Sequence, residues 1–527
     1  MAATATPIRS STMRRGATCS STPRSTSDCV ARRRPYAAGG EILCSSGEGC
    51  MKHMVRGAAL AALMAGLMQP AYAQAQRITD ADRALGREVV RELVSFRTAK
   101  GQGQVPAMIA AMTTRLKAAG FTDADIQTVP LEIDGEKTAG LVVRYAARPG
   151  GTAKPIAFLG HMDVVDAVPG SWSTEPFKPT EKDGYLYGRG SVDNKAGVSL
   201  LLTTFLRLKK SGWVPERDLL LAFSGDEETG MMTTRALTAH PWVSKAEYAL
   251  NSDAGTGYME ADGSNPVFSI QSAEKTFATF QITASNRGGH SSAPRQDNAI
   301  FDAADAIQAV KRIKFPVSFN EISRVMVTDL AARNRGEYGN ALKTLMANPN
   351  DAAARAVAEA DPESAILWTT CVPTMLRAGN APNALPQTAT VTVNCRIFPG
   401  TSVEQVKATI EQAIGDPDVK VALDGEGVAS PVSPVREDVF SAIRRAVHVN
   451  YPGATVKPSM SSGGTDGREF RSKGIPTYGA GSLALIRDVD ARAHGADERL
   501  LLASYDKELA FWDTLIRDVG GKPGARR

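Results

Sequence analysis

Two adjacent glutamates, Glu227 and Glu228, sit in the stretch Phe223-Ser224-Gly225-Asp226-Glu227-Glu228-Thr229-Gly230. They follow an apolar run, Leu219 to Phe223, of the length of a buried strand. Catalytic groups in open α/β sheets gather at the carboxyl ends of strands. Neighbouring side chains point in different directions, so one carboxylate could hold a metal while the other moves a proton. Two more apolar runs end in the same kind of residue. The run from Ile156 leads into His161, with Asp163 two residues on, and the run Ala246 to Leu250 leads into Asp253. The chain has six histidines, so the position of His161 carries weight. Asp163 is spaced to turn back and orient its ring, a common partner arrangement for a metal-bound imidazole. Asp193 lies in a Gly-flanked turn before a helical segment, where a helix cap is the ordinary role of an aspartate. His494 precedes the last helical segment. Two histidines and three carboxylates suffice for two divalent ions, each with three protein ligands and one carboxylate shared. Nitrogen and oxygen donors without thiolate favour zinc; cobalt or manganese fits the same set. His240 and His448 belong to no such pattern and read as surface or packing residues.

The elements that must position these groups alternate strand and helix. Helical periods run over 81–96, 105–116, 198–209 and 500–519, with apolar runs between them. A chain of 527 residues is too long for one core. The charge is uneven: up to Ala73 there are nine basic and three acidic residues, and beyond it 52 basic and 53 acidic. The mature chain therefore gives no support to nucleic-acid binding. Residues 51–73 have the form of a secretory signal peptide, with a positive start, an apolar stretch and Ala71-Tyr72-Ala73 as cleavage site. This implies a periplasmic or secreted protein beginning near Gln74 and no membrane span in the mature form. The Ser/Thr/Arg-rich segment before Met51 reads as disordered, and the true start as Met51 or Met54.

The motifs GHMDVV, GRGSVDNKAG, SGDEETG, NSDAG, RGGHSSAP, NALP, VNCRIFPG, GGTDGREF and AHGADERL occur together in one order. From about Ala81 to the C-terminus the chain resembles the co-catalytic metallopeptidases of peptidase family M20. These include carboxypeptidase G-type enzymes, aminoacylases and dipeptidases. The resemblance implies an α/β catalytic domain with a central mixed sheet flanked by helices, residues 74–267 and 398–527. A smaller α+β lid and dimerisation domain, residues 268–397, would interrupt it, with extra helix over 329–367. It implies that His161 and Asp253 hold one metal ion and Glu228 and His494 the other, with Asp193 bridging. Glu227 would be the general base and Asp163 would orient His161. His290 would stabilise the oxyanion, often from a partner subunit, and Asn383 and Arg396 would contact substrate. Arg suits a carboxylate because it binds with two parallel hydrogen bonds. A cis peptide bond between Asp193 and Asn194 is also implied. The implied activity is hydrolysis of amide bonds in small peptides with a free carboxylate. N-acyl or N-carbamoyl amino acids are the alternative substrates, and a non-catalytic binding protein on this fold is the alternative from another class.

Without the leader the chain keeps Cys371 and Cys395. In an exported protein the two could pair, or remain buried thiols. Both lie in strand-like segments placed evenly about Asn383, so a hairpin centred there would bring them opposite each other. A bulge in either strand would turn them to opposite faces.

Overall fold

A computed structural model describes residues 78–521. The signal-peptide segment 51–73, the expected start near Gln74 and the segment expected to be disordered lie outside the described residues. The apolar runs form a six-stranded mixed sheet of β1 (Ile126–Ile133), β2 (Glu136–Tyr145), β3 (Ile156–His161), β4 (Leu219–Ser224), β5 (Tyr248–Asn251) and β6 (Thr477–Gly479). Their spatial order is β1-β2-β4-β3-β5-β6. β2 is antiparallel to β1 and β4, whereas β3 runs parallel to β4 and β5, and β5 to β6. β3 and β4 are buried at every position, which is why they read as unbroken rather than alternating apolar runs. Each fully buried Leu or Phe among them contributes roughly 1.5–3 kcal/mol relative to exposure.

Helices Glu437–Asn450 and Leu502–Gly520 pack against this sheet together with three earlier helices. The earlier three are α1 (Asp80–Ser95), α2 (Val105–Ala118) and α3 (Lys195–Lys210). α1 begins at Thr79, whose side chain and that of Asp82 cap each other's backbone. Val89 and Leu93 of α1, Leu201 and Phe205 of α3, Phe158 of β3 and Trp512 of the C-terminal helix share one apolar core. β3, which ends at His161, and α3, which follows Asp193, are therefore packed into the same core.

A second sheet has its own core. Its antiparallel order is Thr370–Ala378, Thr388–Ile397, Thr276–Ser285, Lys420–Asp424. Helices Ala299–Arg312 and Val403–Ile414 supply Ala303, Ala306, Val406 and Ile410 to that core. This unit differs from the expected span 268–397 at both ends. Strand Val267–Glu274 pairs with Thr455–Ser461, and its Phe268 and Ile270 join the first core. Beyond Ile397 the helix at Val403 and the strand at Lys420 bury their apolar faces in the second core. The Ala-rich segment forms helices Glu321–Arg333, Glu337–Ala347 and Ala352–Glu359, then a short 3-10 turn.

Cys371 and Cys395 stand opposite each other and form a disulfide. A bulge is present too, at Thr374, yet it does not separate them. Beyond it, pairs such as Arg377 with Thr390 are one residue out of step with the cysteine pair, and the bulge absorbs that step. Among the described residues no helix is long and apolar enough to cross a membrane.

Candidate active site

Three strands deliver ligands to one edge of the main sheet. His161 ends β3 and pairs with Ser224, the end of β4, while Leu159 pairs with Asn251, the end of β5. Glu227 and Glu228 lie just past Ser224, and Asp253 just past Asn251. Parallel pairing thus brings groups distant in sequence to the same side. Asp193 reaches the same place from the turn before α3, and the peptide bond to Asn194 is cis, as expected. His494 comes from the loop before the C-terminal helix. Its φ of 63° is uncommon outside glycine.

His161 Nε2 lies 2.9 Å from Asp193 Oδ1 and 3.5 Å from Asp253 Oδ1. His494 Nε2 lies 3.1 Å from Asp193 Oδ2 and 2.9 Å from Glu228 Oε1. Asp193 therefore spans the two imidazoles with one oxygen each. Two groups of possible ligands share it: His161, Asp193 and Asp253, and Asp193, Glu228 and His494. A third group, His161 with Glu227 and Glu228, places Glu227 beside both.

The donor chemistry fits cations. His161 Nδ1 donates to the Asp163 carbonyl oxygen at 2.9 Å. Its Nε2 must then carry a second proton or a lone pair, and a lone pair facing the Asp193 carboxylate would be repelled. Each imidazole edge thus calls for positive charge, a proton or a metal ion. The carboxyls call for it as well. Burial pushes Asp253 up to about 7, with Asp193 and Asp466 adding to the rise against His161. Burial also raises Glu227 well above its usual range, reinforced by Asp253 and Asp466. Asp193 is driven down despite its burial, because both imidazoles bond to it. Its bonds to Asp193 and Glu228 push His494 up to about 10. Clustered acids facing two imidazoles, each edge calling for a cation, make the donor set of a divalent metal pair.

Asp163 acts differently from the expectation. Its main-chain carbonyl, not its carboxylate, meets His161; the carboxylate stands 3.7 Å from Nδ1. The carboxylate instead accepts the backbone N–H groups of Glu227 and Glu228, each at 3.0 Å. Asp163 thus orients the ring through its main chain and holds the two glutamates through its carboxylate.

Arg396 joins the site, whereas His290 and Asn383 stand apart. Arg396 lines a cavity of about 630 Å³ together with Glu227, Glu228, His494 and Arg468. It donates to the Ser462 carbonyl at 3.1 Å and lies over the Phe277 ring. Among the described residues no carboxylate pairs with it. Burial and the neighbouring Arg468 pull its guanidinium below its ordinary value. His290 lies in a short two-stranded ladder opposite Ala384, and Asn383 just before it accepts from Ser291 N–H at 3.0 Å through its carbonyl. Both are exposed, and neither lines the Glu227 cavity. His240 bonds to Gln127 and His448 to the Ala454 carbonyl, away from the cluster.

Two residues escaped the sequence reading. Glu498 is fully buried and accepts from Arg189 Nη1 at 2.6 Å, Val192 N at 2.8 Å, Asp193 N at 3.1 Å and Gly190 N at 3.2 Å. Arg189 in turn donates to the His494 and Gly495 carbonyls, both at 3.1 Å. This pair ties the Asp193 turn to the His494 loop. Both residues fall within quoted motifs, but a charged residue in a loop reads as solvated unless its partner is known.

A family model described as peptidase family M20/M25/M40 matches residues 157–518. Among curated proteins, an N-fatty-acyl-amino acid synthase/hydrolase PM20D1 of Xenopus tropicalis is 29% identical over 373 residues, covering 69% of this chain and 72% of that protein. A probable carboxypeptidase S-like 2 of Dictyostelium discoideum is 26% identical over 378 residues, covering 69% and 72%. Among solved structures, an M20 family metallo-carboxypeptidase of Sulfolobus solfataricus superposes with a TM-score of 0.62 at 16% identity, covering 82% of this chain and 98% of that one. Human carnosine dipeptidase 1 does so with a TM-score of 0.59 at 15% identity, covering 84% and 98%. At these identities the solved structures speak for the fold.

Proposed function

The chain belongs to peptidase family M20/M25/M40, and from that premise we propose that it cleaves amide bonds whose amine side is an amino acid with a free carboxylate. It is a metal-dependent hydrolase acting on small peptide or amide substrates. His161 and Asp253 would hold one ion, Glu228 and His494 the other, and Asp193 both. Held there, two divalent ions would supply a lowered pKa for water and polarisation of an amide carbonyl.

Glu227 is the base. It adjoins the ligands without belonging to either pair that shares Asp193, and its raised proton affinity suits a group that must take a proton and return it. Hydrolysis places the oxygen of water on the acyl carbon and a proton on the departing nitrogen, and Glu227 carries that proton across.

The observation behind the substrate class is Arg396. A half-buried guanidinium with no acidic partner among the described residues lines the same cavity as Glu227, and a carboxylate is what it lacks. The relatives named as acyl-amino acid hydrolase and carboxypeptidase agree with this choice. Kinetics on an N-acyl amino acid and its methyl ester, with wild type and Arg396→Ala, test it. A charged hydrogen bond contributes about 1.5–3 kcal/mol, so the free acid should be preferred by about ten- to a hundredfold in kcat/KM. The variant should lose that preference. Equal turnover of acid and ester by wild type would sink the assignment.

A homodimer accounts for the distance of His290 and Asn383 from the cavity. Strand Thr370–Ala378 is an unpaired edge with Val372, Met375 and Leu376 about half exposed, and Phe301 on helix Ala299–Arg312 is 60% exposed. Edge pairing there would cover both, and His290 of the partner subunit would complete the site. Sedimentation of the full chain as a monomer at micromolar concentration would oppose it. Export is proposed from the leader, and the N-terminal sequence of the mature protein decides it.

A further inference from the structure

A cavity of about 380 Å³ lies where strands Val267–Glu274 and Thr455–Ser461 meet helix Glu321–Arg333 and the 3-10 turn Pro362–Leu367. None of its lining residues belongs to the metal cluster, yet it adjoins the Glu227 cavity. Ser461 and Ser462 line the one, and Gly463 and Gly464, next in the chain, line the other. The apolar part of its wall is Val325, Met326, Leu330, Ile366, Pro458 and Met460.

In the same wall is Lys275, a buried cation without an anion. Its ammonium donates to the carbonyls of Ala365 and Trp368, both at 2.6 Å. An ammonium has three N–H groups, so one donor is left over. Among the described residues no carboxylate pairs with it. The adjacent acid is turned the other way: Glu274 accepts from Thr465 Oγ1 at 2.5 Å and lies 3.1 Å from Arg471 Nη1, as alternation along a strand requires. Buried charges are ordinarily paired. The other charged residues of the lining are Asp329, Arg333, Glu363 and Lys457. Asp329 is taken up by Lys457 and by Arg333, the latter at 3.2 Å, and Glu363 is exposed. With Lys275, three cations face two acids, so the cavity carries an excess positive charge beside an apolar wall.

We infer that this cavity is a regulatory site for a small monocarboxylate with an apolar body, whose carboxylate takes the free N–H of Lys275 while its hydrocarbon lies against helix Glu321–Arg333. A second carboxylate would meet Asp329 and Glu363, and a cation would meet Lys275. The volume is near the lower end for small-molecule pockets, so the body is of the size of a phenylpropyl group.

The site is coupled to the substrate cavity. Arg396 donates to the Ser462 carbonyl at 3.1 Å, and its charge and that of Lys275 repel. An anion on Lys275 lowers the positive potential at Arg396 and weakens its pull on a substrate carboxylate. KM should therefore rise while kcat stays, because Glu227 and the metal ligands are untouched. This coupling rests on the assignment of Arg396 to the substrate carboxylate; the binding itself does not.

The test is calorimetric titration of the zinc-loaded full chain with 3-phenylpropionate and with its uncharged amide. The acid should bind about ten- to a hundredfold more tightly, the worth of a charged hydrogen bond. Arg396→Ala should keep this binding and lose any in the catalytic cavity. Lys275→Met should abolish it. Val325 is exposed on the helix and lines the cavity, so Val325→Trp should fill the site, abolish binding and leave kcat and KM as in wild type; it decides the matter if Lys275→Met does not fold. In wild type the acid should raise KM to a ceiling of about fivefold, the lower end of usual couplings between sites, whereas a competitor would raise it without limit. No binding in Arg396→Ala, or wild-type affinity in Lys275→Met and Val325→Trp, would overturn the site. Binding with KM unchanged would overturn the regulation. Equal turnover of acid and ester substrates would remove the coupling through Arg396 and leave the site to the calorimetry.

Discussion

Replacing Glu498 should weaken metal binding although it touches no ligand side chain. Its carboxylate is the acceptor for three N–H groups of the Asp193 turn, those of Gly190, Val192 and Asp193, and it neutralises Arg189. Side-chain exposures of 3% for Arg189 and 0% for Glu498 leave no water to take over. Glu498→Leu strands a buried guanidinium, and breaking such a pair costs about 3–5 kcal/mol. Removing groups that orient ligands typically costs about ten- to a hundredfold in metal affinity. Urea unfolding of the chelator-treated protein reads the first effect, and competition with a chromophoric zinc chelator reads the second. The double variant Arg189→Leu with Glu498→Leu separates them. Its stability should return in part, because no charge remains unpaired although the N–H groups stay without an acceptor. Its zinc affinity should stay low, because the Val192 and Asp193 N–H groups still lack their acceptor. Wild-type zinc affinity in Glu498→Leu would refute the reasoning.

Glu227→Gln should retain both metal ions by elemental analysis and lose about a hundred- to ten-thousandfold in kcat, the usual worth of a general base; loss of the ions would make Glu227 a ligand instead. Burial pushes Glu508 up from 4.5 to about 7, so between those values the folded protein keeps a proton that the unfolded chain has released. Stability should therefore fall as pH rises through that window, by roughly 3 kcal/mol from this group. Glu508→Gln should flatten that slope in urea titrations at pH 5 and pH 8, and an unchanged slope would place the charge elsewhere. The Cys371–Cys395 link closes a loop with a sequence separation of 24. Cys371→Ser with Cys395→Ser should cost roughly 3 kcal/mol by the chain-entropy argument, and free thiols in mature protein from an oxidising compartment would contradict the bridge.

The parts legible in the sequence are those fixed by local rules. β3, β4 and β5 announce themselves because strands buried on both faces must be apolar throughout, and His161, Glu228 and Asp253 follow because a polar residue ends each run. Asp193 and His494 follow no such rule. Each sits in a turn before a helix, where capping and solvation are the ordinary explanations, and only the ordered set of motifs separates them from those. The extent of the inserted unit was hidden for a related reason. Val403, Val406 and Ile410 show a helical period that says they are buried but not in which core. Register was legible to within one residue: the cysteines pair as their spacing about Asn383 suggests, and the bulge at Thr374 supplies the residue by which the rest of the hairpin differs.

Illegible were the contacts whose partners lie far apart along the chain. Arg189 and Glu498 carry no periodicity and no apolar neighbour pattern that marks burial, and their sequence separation is 309 residues. Yet such contacts set the geometry of the metal cluster. The strands bring His161, Glu228 and Asp253 to one edge by parallel pairing alone. Nothing in that pairing fixes where the Asp193 turn or the His494 loop stands. Asp163 fixes the glutamates to β3, and Glu498 with Arg189 fixes the Asp193 turn to the His494 loop. The two metal positions share Asp193, so an error in that turn displaces both at once. Its position depends on buried charges that hold backbone groups rather than on the strands, and this is why the Glu498 substitution, remote from every ligand side chain, is expected to lower affinity for the pair of ions together.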